Sequence, residues 1–139
     1  MADTVEMKIF LALVLRLQAW TPPAGVNVVL PGEAFSPSAQ SKFISAEVHF
    51  NRSIETDISL EGDPIRQGFF RANVFWPKAS ATVDAVNLAG LIREHFRRGT
   101  KLLRVDTEVR IDEDPEIGVI VTGDTHITVP VTIRWRCFP

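Results

Sequence analysis

The sequence has little cysteine and little imbalance of charge. Cys137 is the only cysteine in 139 residues, so no disulfide can form within the chain. A single thiol gives no sign of an oxidising compartment, and a reducing cytosol fits. Lysine and arginine number 15 against 17 aspartates and glutamates, a net charge of -2. Proteins that bind nucleic-acid phosphates carry clustered lysines and arginines, so a slightly negative net charge disfavours sequence-independent DNA binding.

Long hydrophobic runs are also missing. The most apolar stretch covers residues 9–15, which is well short of the ~20 residues needed to span a bilayer. Asp3 and Glu6 precede it, where a signal peptide would carry positive charge, and Arg16 ends it. The stretch therefore predicts a buried helix, and no membrane is expected as a partner.

The remaining composition is that of a soluble globular protein. Hydrophobic residues make up 45% of the chain and charged residues 23%, which argues against disorder. A domain of this length buries roughly two thirds of the surface of its unfolded chain, so it needs no disulfide or structural metal. We therefore expect a single domain over residues 1–139.

The sequence contains no recognisable catalytic, metal-binding or cofactor-binding motif. His49, His95 and His126 are scattered without metal-ligand spacing, which indicates surface or interface histidines. His95 lies near the end of a predicted helix, where the helix dipole favours a partly charged ring. Cys137 has no dyad partner in view and is interpreted as a quiet surface or interface thiol.

Charged segments leave one alternative open. Residues 55–63 and 112–116 are acidic but lack the ligand spacing of a calcium loop, so solvated loops are favoured. A basic cluster spans the C-terminal end of the second predicted helix, where helices ordinarily carry cations. Its members are Arg93, Arg97, Arg98, Lys101 and Arg104. A small nucleic-acid-binding domain therefore stays an alternative function.

Apolar periodicity predicts two helices. Residues 3–18 repeat apolar side chains at helical spacing, with Asp3 or Thr4 available as the N-cap. Residues 80–99 carry a narrower apolar stripe, and Gly99 supplies the C-terminal stop. The second helix should therefore bury only one side.

Alternating apolar and polar residues predict the strands. These cover residues 26–30, 42–50, 65–76 and 101–111, with a final hairpin of 117–121 and 125–136 around Gly123. Residues 51–64 read as an extended hairpin or loop. The order predicts an α+β fold with a mostly antiparallel, mixed sheet of about five or six strands and two α-helices packed on one face.

Two helices can cover only one face of such a sheet. The opposite face carries Phe69 and Phe75 among Arg71 and other polar residues, a mixture typical of protein contacts. Pro130 cannot donate to a ladder, so it predicts an edge strand or a bulge. We therefore expect self-association through this face or an edge of the sheet.

Several segments resemble a known family when they are taken in order. Residues 68–77, GFFRANVFWP, lead into SATVDAVNLAGLIREHFRRG at 80–99, and VPVTIRWR at 129–136 closes the chain. Upstream, PGEAFSP at 31–37 precedes the strand FISAEVHF. Together they resemble the phage tail terminator-like and minor tail (tail completion) protein families over most of the chain. The acidic insert near residues 55–63 departs from that pattern.

The resemblance implies a structural, non-enzymatic protein of the virion tail, present in the host cytoplasm during assembly. It implies a homo-oligomeric, hexameric ring that caps the tail tube protein, ends its polymerisation and offers a docking surface to the head–tail connector protein. Genomic DNA would pass through the pore without specific binding. Another head–tail connector or tail completion protein is the alternative.

Polar loops on a rigid sheet are predicted to make these contacts. The regions concerned are residues 51–66 and 112–118. The expected subunit or tube contacts are Arg52, Glu55, Asp57, Arg66, Phe69, Arg71, Phe75, Asp112, Glu113 and Asp114.

Val131 lies in the middle of an apolar row that alternates with polar residues along the last strand. Each buried member of such a row stabilises the fold by ~1.5 to 3 kcal/mol. An aspartate there would also bury an unpaired charge. We expect Val131→Asp to abolish the cooperative thermal transition measured by circular dichroism, and a variant that still melts cooperatively would contradict the placement.

Overall fold

A computed structural model describes residues 4–38, 40–51, 65–78 and 82–137. The helices are α1 (Val5–Gln18) and α2 (Thr82–His95). The strands are β1 (Val26–Val29), β2 (Lys42–Phe50), β3 (Arg66–Pro77), β4 (Lys101–Arg104), β5 (Thr107–Arg110), β6 (Glu116–Ile117), β7 (Val121–Thr122) and β8 (His126–Cys137). The predicted α+β fold is confirmed, although the strands are slightly more numerous than expected.

The strands form one mixed sheet in the order β1-β2-β3-β8-β5-β4, and β6 and β7 also pair with β8. Only the β1–β2 pair is parallel among the described strands. Helix α2 packs on β3 and β8, while α1 packs on β4 and β5. The sheet thus has one face toward the helices and one away from them.

The core lies between this inner face and the two helices. Phe70 and Val74 of β3 and Val131 of β8 are fully buried, so the core position expected for Val131 is confirmed. They belong to one hydrophobic cluster with Leu13 of α1 and Ile92 of α2. Neither described helix is long and apolar enough to cross a membrane.

Both helices begin or end near their predicted limits. The Thr4 hydroxyl accepts a hydrogen bond of 3.2 Å from the Met7 amide and caps α1. The start predicted for α2 at residue 80 lies outside the described residues. Helix α2 ends at His95, and Gly99 then adopts a positive φ of 92°, a conformation that glycine adopts without steric cost.

The single strand predicted for residues 101–111 is wrong. The chain reverses there, and β4 and β5 pair as a tight antiparallel hairpin. Val105 takes a φ of 59° at the turn, which is rare for a β-branched residue and carries no glycine or proline signal. Leu103 and Val105, which a single alternating strand would place together on its apolar side, are instead 71% and 73% exposed.

Pro130 marks a bulge and not an edge, because β8 is flanked by β3 on one side and by β6 and β7 on the other. Val121 pairs with Thr128, but Ile117 pairs with Val131. The β6–β7 arm thus holds one more residue than β8 over this stretch. The Pro130 carbonyl accepts a hydrogen bond of 2.8 Å from the Gly118 amide. Because the N–H and C=O of one strand residue point to the same side, the missing N–H of Pro130 also lies on the bulged side.

Gly68 is required by the close approach of its neighbours. It lies opposite Phe50 on β2 and Trp135 on β8. A Cβ there would collide with the His49 carbonyl oxygen and would come within 2.7 Å of the Trp135 ring. The bare backbone lets the indole lie over β3, where it also contacts Phe50 edge-on at 5.5 Å.

The C-terminal ends of the helices are joined by reciprocal hydrogen bonds. The Arg16 guanidinium donates to the His95 carbonyl at 2.9 and 3.2 Å. The His95 ring, through Nε2, donates to the Arg16 carbonyl at 2.7 Å. Each side chain therefore satisfies a carbonyl at the end of the other helix, where the last turn leaves such groups unpaired.

The expectation of a partly charged His95 is wrong. Burial lowers the pKa of His95, the hydrogen bond to the Arg16 carbonyl opposes that effect, and the Arg16 charge lowers the pKa further. The helix dipole is outweighed because the ring is desolvated beside a guanidinium. His95 is therefore neutral at neutral pH and acts as a structural donor.

This lowered pKa makes stability depend on pH. The unfolded state binds the proton more tightly, so the contribution of His95 is complete above about pH 6.5 and is lost as pH falls toward the folded-state pKa. We expect melting temperature to fall between about pH 7.5 and pH 5.5. His95→Gln, which retains an N–H donor but cannot titrate, should flatten that slope, and an unchanged slope would contradict the assignment.

Candidate protein-contact surface

The side of β2, β3 and β8 that points away from the helices is here called the outer face. Its residues are mostly half-buried in the chain alone. They are Phe43, Ser45, Glu47 and His49 of β2, Gln67, Phe69, Arg71, Asn73 and Phe75 of β3, and Thr128, Pro130, Thr132, Arg134 and Arg136 of β8. The solvent exposure of the outer face is therefore intermediate between that of the core and that of a fully exposed surface.

Aromatic side chains form two groups on the outer face. Phe43 stacks on Phe75 with ring centroids 4.5 Å apart, and Phe35 covers Phe43 at 4.9 Å. Toward the other end of the strands, His49 stacks on Phe69 at 4.4 Å. Such pairs are rigid and mostly apolar, which suits a surface that another protein covers.

A carboxylate organises the polar centre between the aromatic groups. One oxygen of Glu47 accepts a hydrogen bond of 2.9 Å from the side-chain amide of Asn73. Its other oxygen lies 2.7 Å from His49 Nε2. His49 and Asn73 are thereby held in fixed orientations on neighbouring strands.

Arg71 is the least satisfied group of the outer face. Its guanidinium lies over the Phe69 ring at 4.9 Å, in a cation–π contact. Its Nε atom is buried and has no hydrogen-bond partner among the described residues. The register places Arg71 between Glu47 and Thr132, but both Glu47 oxygens are already engaged.

The predicted acidic turn is anchored to the end of α2. The Asp114 carboxylate accepts a hydrogen bond of 3.1 Å from the backbone amide of Arg98 and lies 3.6 Å from the Arg93 guanidinium. Arg93 also donates to the Pro115 carbonyl at 3.0 Å. Asp114 and Arg93 therefore stabilise the fold by holding the turn against the end of α2. Because Arg93 is engaged within the chain, it is set apart from the other members of the basic cluster identified in the sequence.

Asp112 and Glu113 remain exposed at the rim of a small cavity of about 120 Å³. Arg134 and Arg136 line the same cavity. Arg134 lies opposite Phe69 on the outer face, so this cavity borders the end of the outer face. Among the predicted contact residues, Asp112 and Glu113 thus lie together at this cavity, whereas Phe69 and Arg71 lie on the outer face and do not line it.

The other predicted contact residues fall elsewhere. Phe75 belongs to the aromatic group of the outer face in which it stacks on Phe43. Arg66 begins β3 and pairs with Glu6 at 3.2 Å, so it ties α1 to the sheet. Arg52, Glu55 and Asp57 lie outside the described residues.

Sequence reasoning missed Glu47, His49 and Asn73 as a unit. Period-two alternation places them on one face, but their contacts depend on the register between β2 and β3. It also missed the exposed apolar segment that runs from β6 into β7, where Val119 is 83% and Val121 is 58% exposed. The signal was the run of uncharged residues at 117–122.

Metal-ligating side chains do not cluster in the described residues. These residues contain no group of three or more histidine, cysteine, aspartate or glutamate side chains placed to hold a metal ion. Cys137 is buried at 4% exposure within the chain itself, so the predicted surface or interface position of its thiol is wrong. Burial is the main cause that raises the pKa of its thiol, which keeps it protonated and unreactive.

The fold and this surface are those of a structural α+β protein whose exposed features suit contact with other proteins. A family model described as phage tail terminator protein matches residues 8–135. The chain belongs to this family and is a structural component of the phage virion tail. The family is structural and not enzymatic.

Comparison with solved structures supports the fold. One solved structure superimposes with a TM-score of 0.77 at 24% sequence identity and covers 96% of this chain and 97% of that chain. No match was found among curated proteins.

The two faces of β3 can be distinguished by adjacent phenylalanines. Phe70 is fully buried, whereas Phe69 is half-buried on the outer face. Phe70→Ala should cost about 3 to 5 kcal/mol of unfolding free energy. Phe69→Ala should cost only about 1 to 2 kcal/mol, through the lost ring contacts. Chemical denaturation measures both, and equal losses would contradict the assignment of faces.

Proposed function

We propose that the protein caps the tail tube, ends its polymerisation and presents a docking surface to the head. The family supplies the role in the tail, and Arg71 carries the argument for protein contact. Its buried Nε lacks a partner in the described chain, and it lies between two groups of half-buried aromatics. Aromatic side chains beside a cation are typical of surfaces that another protein covers, and this composition supports a protein contact here.

The mechanism is steric and needs no chemistry. Copies of the chain form a ring, six in number if the resemblance holds, seated on the last ring of tail tube protein. One side of the ring binds the tube and the opposite side does not reproduce the tube's end, so addition of tube subunits stops. The opposite side binds the head–tail connector protein.

Charge supports a passive route for DNA. The chain carries a net charge of -2, and a strongly basic pore would retain the genome. We assign the outer face with Phe69, Arg71 and Phe75 to protein contact. Asp112 and Glu113, together with Arg52, Glu55 and Asp57, are assigned to contacts with the tube or with neighbouring copies.

Deletion of the gene tests the function directly. If the protein ends tube growth, phage lacking it should accumulate overlong tubes without heads, counted by electron microscopy. Expression of the intact chain should restore headed particles of normal tail length. Tubes of normal length without heads would instead point to a connector or completion protein.

Charge reversal of Arg71 makes the test specific to the outer face. Arg71→Glu should fail to restore headed particles although it folds, because it reverses the charge that the outer face presents to a partner. Arg97→Glu makes the same charge change at an exposed site after α2 and should restore them. Restoration by both variants would remove the outer face from the mechanism.

A further inference from the structure

Both ends of the strand order border helix α1. Leu17 of α1 lines a groove of about 460 Å³ beside β1, and Leu15 and Arg16 line a second cavity of about 270 Å³ beside β4. The described residues place no further strand on the outer side of β1 or of β4. Open strand edges are usually protected or paired, so the chemistry of each edge indicates its use.

The β1 edge is an apolar groove. Its strand, VNVV, carries no charge and no proline. The groove walls include Trp20, Pro22, Val28 and Leu30, and Glu33 lies at the rim. Glu33 is exposed and has no ion pair in the described part of the chain. An apolar groove with one unpaired carboxylate fits an apolar knob that carries a cation.

The β4 edge has the opposite character. Leu103 and Val105 project from the β4–β5 hairpin at 71% and 73% exposure. Lys101 lies two residues before Leu103, Arg104 lies between Leu103 and Val105, and neither cation forms an ion pair within the described ranges. The Nε atom of Arg104 is buried without a described acceptor. This edge is therefore an apolar knob with two uncompensated cations.

We propose that the β4–β5 hairpin of one copy seats in the β1 groove of the next copy. Leu103 and Val105 would fill the groove, and Lys101 or Arg104 would pair with Glu33. The knob and the groove are different parts of the surface, so the contact is head-to-tail, as a closed ring requires. This inference deepens the proposed cap by naming the surface through which its copies join, and it rests on that function.

A second copy is the occupant that the charges favour. The chain itself carries both halves of the contact, apolar against apolar and cation against carboxylate. Hydrophobic anchors set in pockets, with complementary charge at the rim, are the features that specify protein contacts. A tail tube subunit at the groove is the competing outcome of the experiment.

Disulfide trapping in assembled tails tests the contact. The chain carrying Asn27→Cys, Val105→Cys and Cys137→Ser should give a ladder of cross-linked copies after oxidation, resolved by electrophoresis without reductant. Each single cysteine on the Cys137→Ser background should give none. No ladder in tails that do contain the protein, or a cross-link to the tube protein, would overturn the proposal.

Exchange of charges provides a second readout that does not depend on cysteine. Glu33→Lys and Lys101→Glu expressed singly should each reduce headed, normal-length particles at least tenfold. Co-expression of the two variants should restore them, because copies that alternate around a ring regain an opposite pair at every contact. Failure of co-expression to improve on either variant alone would contradict the pairing.

Matched controls separate this contact from the cap function. Leu103→Glu should lose headed particles while keeping the wild-type melting temperature, whereas Val83→Glu, at a valine 76% exposed on α2, should retain them. If Leu103→Glu also gives normal particles, the copies join elsewhere and the cap stands. If the deletion itself does not give overlong tubes, the cap fails whatever the cross-links show.

Discussion

The pairing of β3 with β8 is the constraint on which the rest of the structure depends. The ladder is continuous from Arg66 opposite Cys137 to Pro77 opposite His126. It decides which residues meet the helices and which form the outer face. A slip of one residue would exchange the two sets. The core around Phe70 and the contact surface around Phe69 are therefore two consequences of one register.

The long elements were predictable because their alternation is strict and their ends are marked. Strand β2 has the predicted bounds, and β3 and β8 differ from prediction by one residue at each end. The β4–β5 turn was not predictable, because Val105 adopts a positive φ where no glycine, asparagine or proline signals a reversal. Pro130 signalled an edge or a bulge, and only the neighbouring strands decide between them.

The contact surface was predictable in part for the same reason. Phe69, Arg71 and Phe75 share a face because side chains alternate along one strand. The Glu47–Asn73 bond joins residues on different strands, so it depends on a register that one sequence does not display. His95 is similar: burial lowers its pKa, and that burial results from packing against Arg16, which lies 79 residues away in the sequence, so local helix arguments gave the wrong charge.

Helix α1 also bears on how copies would join, because it touches both halves of the proposed contact. Near its start, Lys8 holds Asp106 at the hairpin tip at 2.7 Å, and this hydrogen bond is the largest cause that lowers the pKa of Asp106. Near its end, Leu17 forms a wall of the groove. A head-to-tail contact closes into a ring only if knob and groove keep a fixed angle. A rigid helix of 14 residues, about 21 Å long, fixes that angle within each copy.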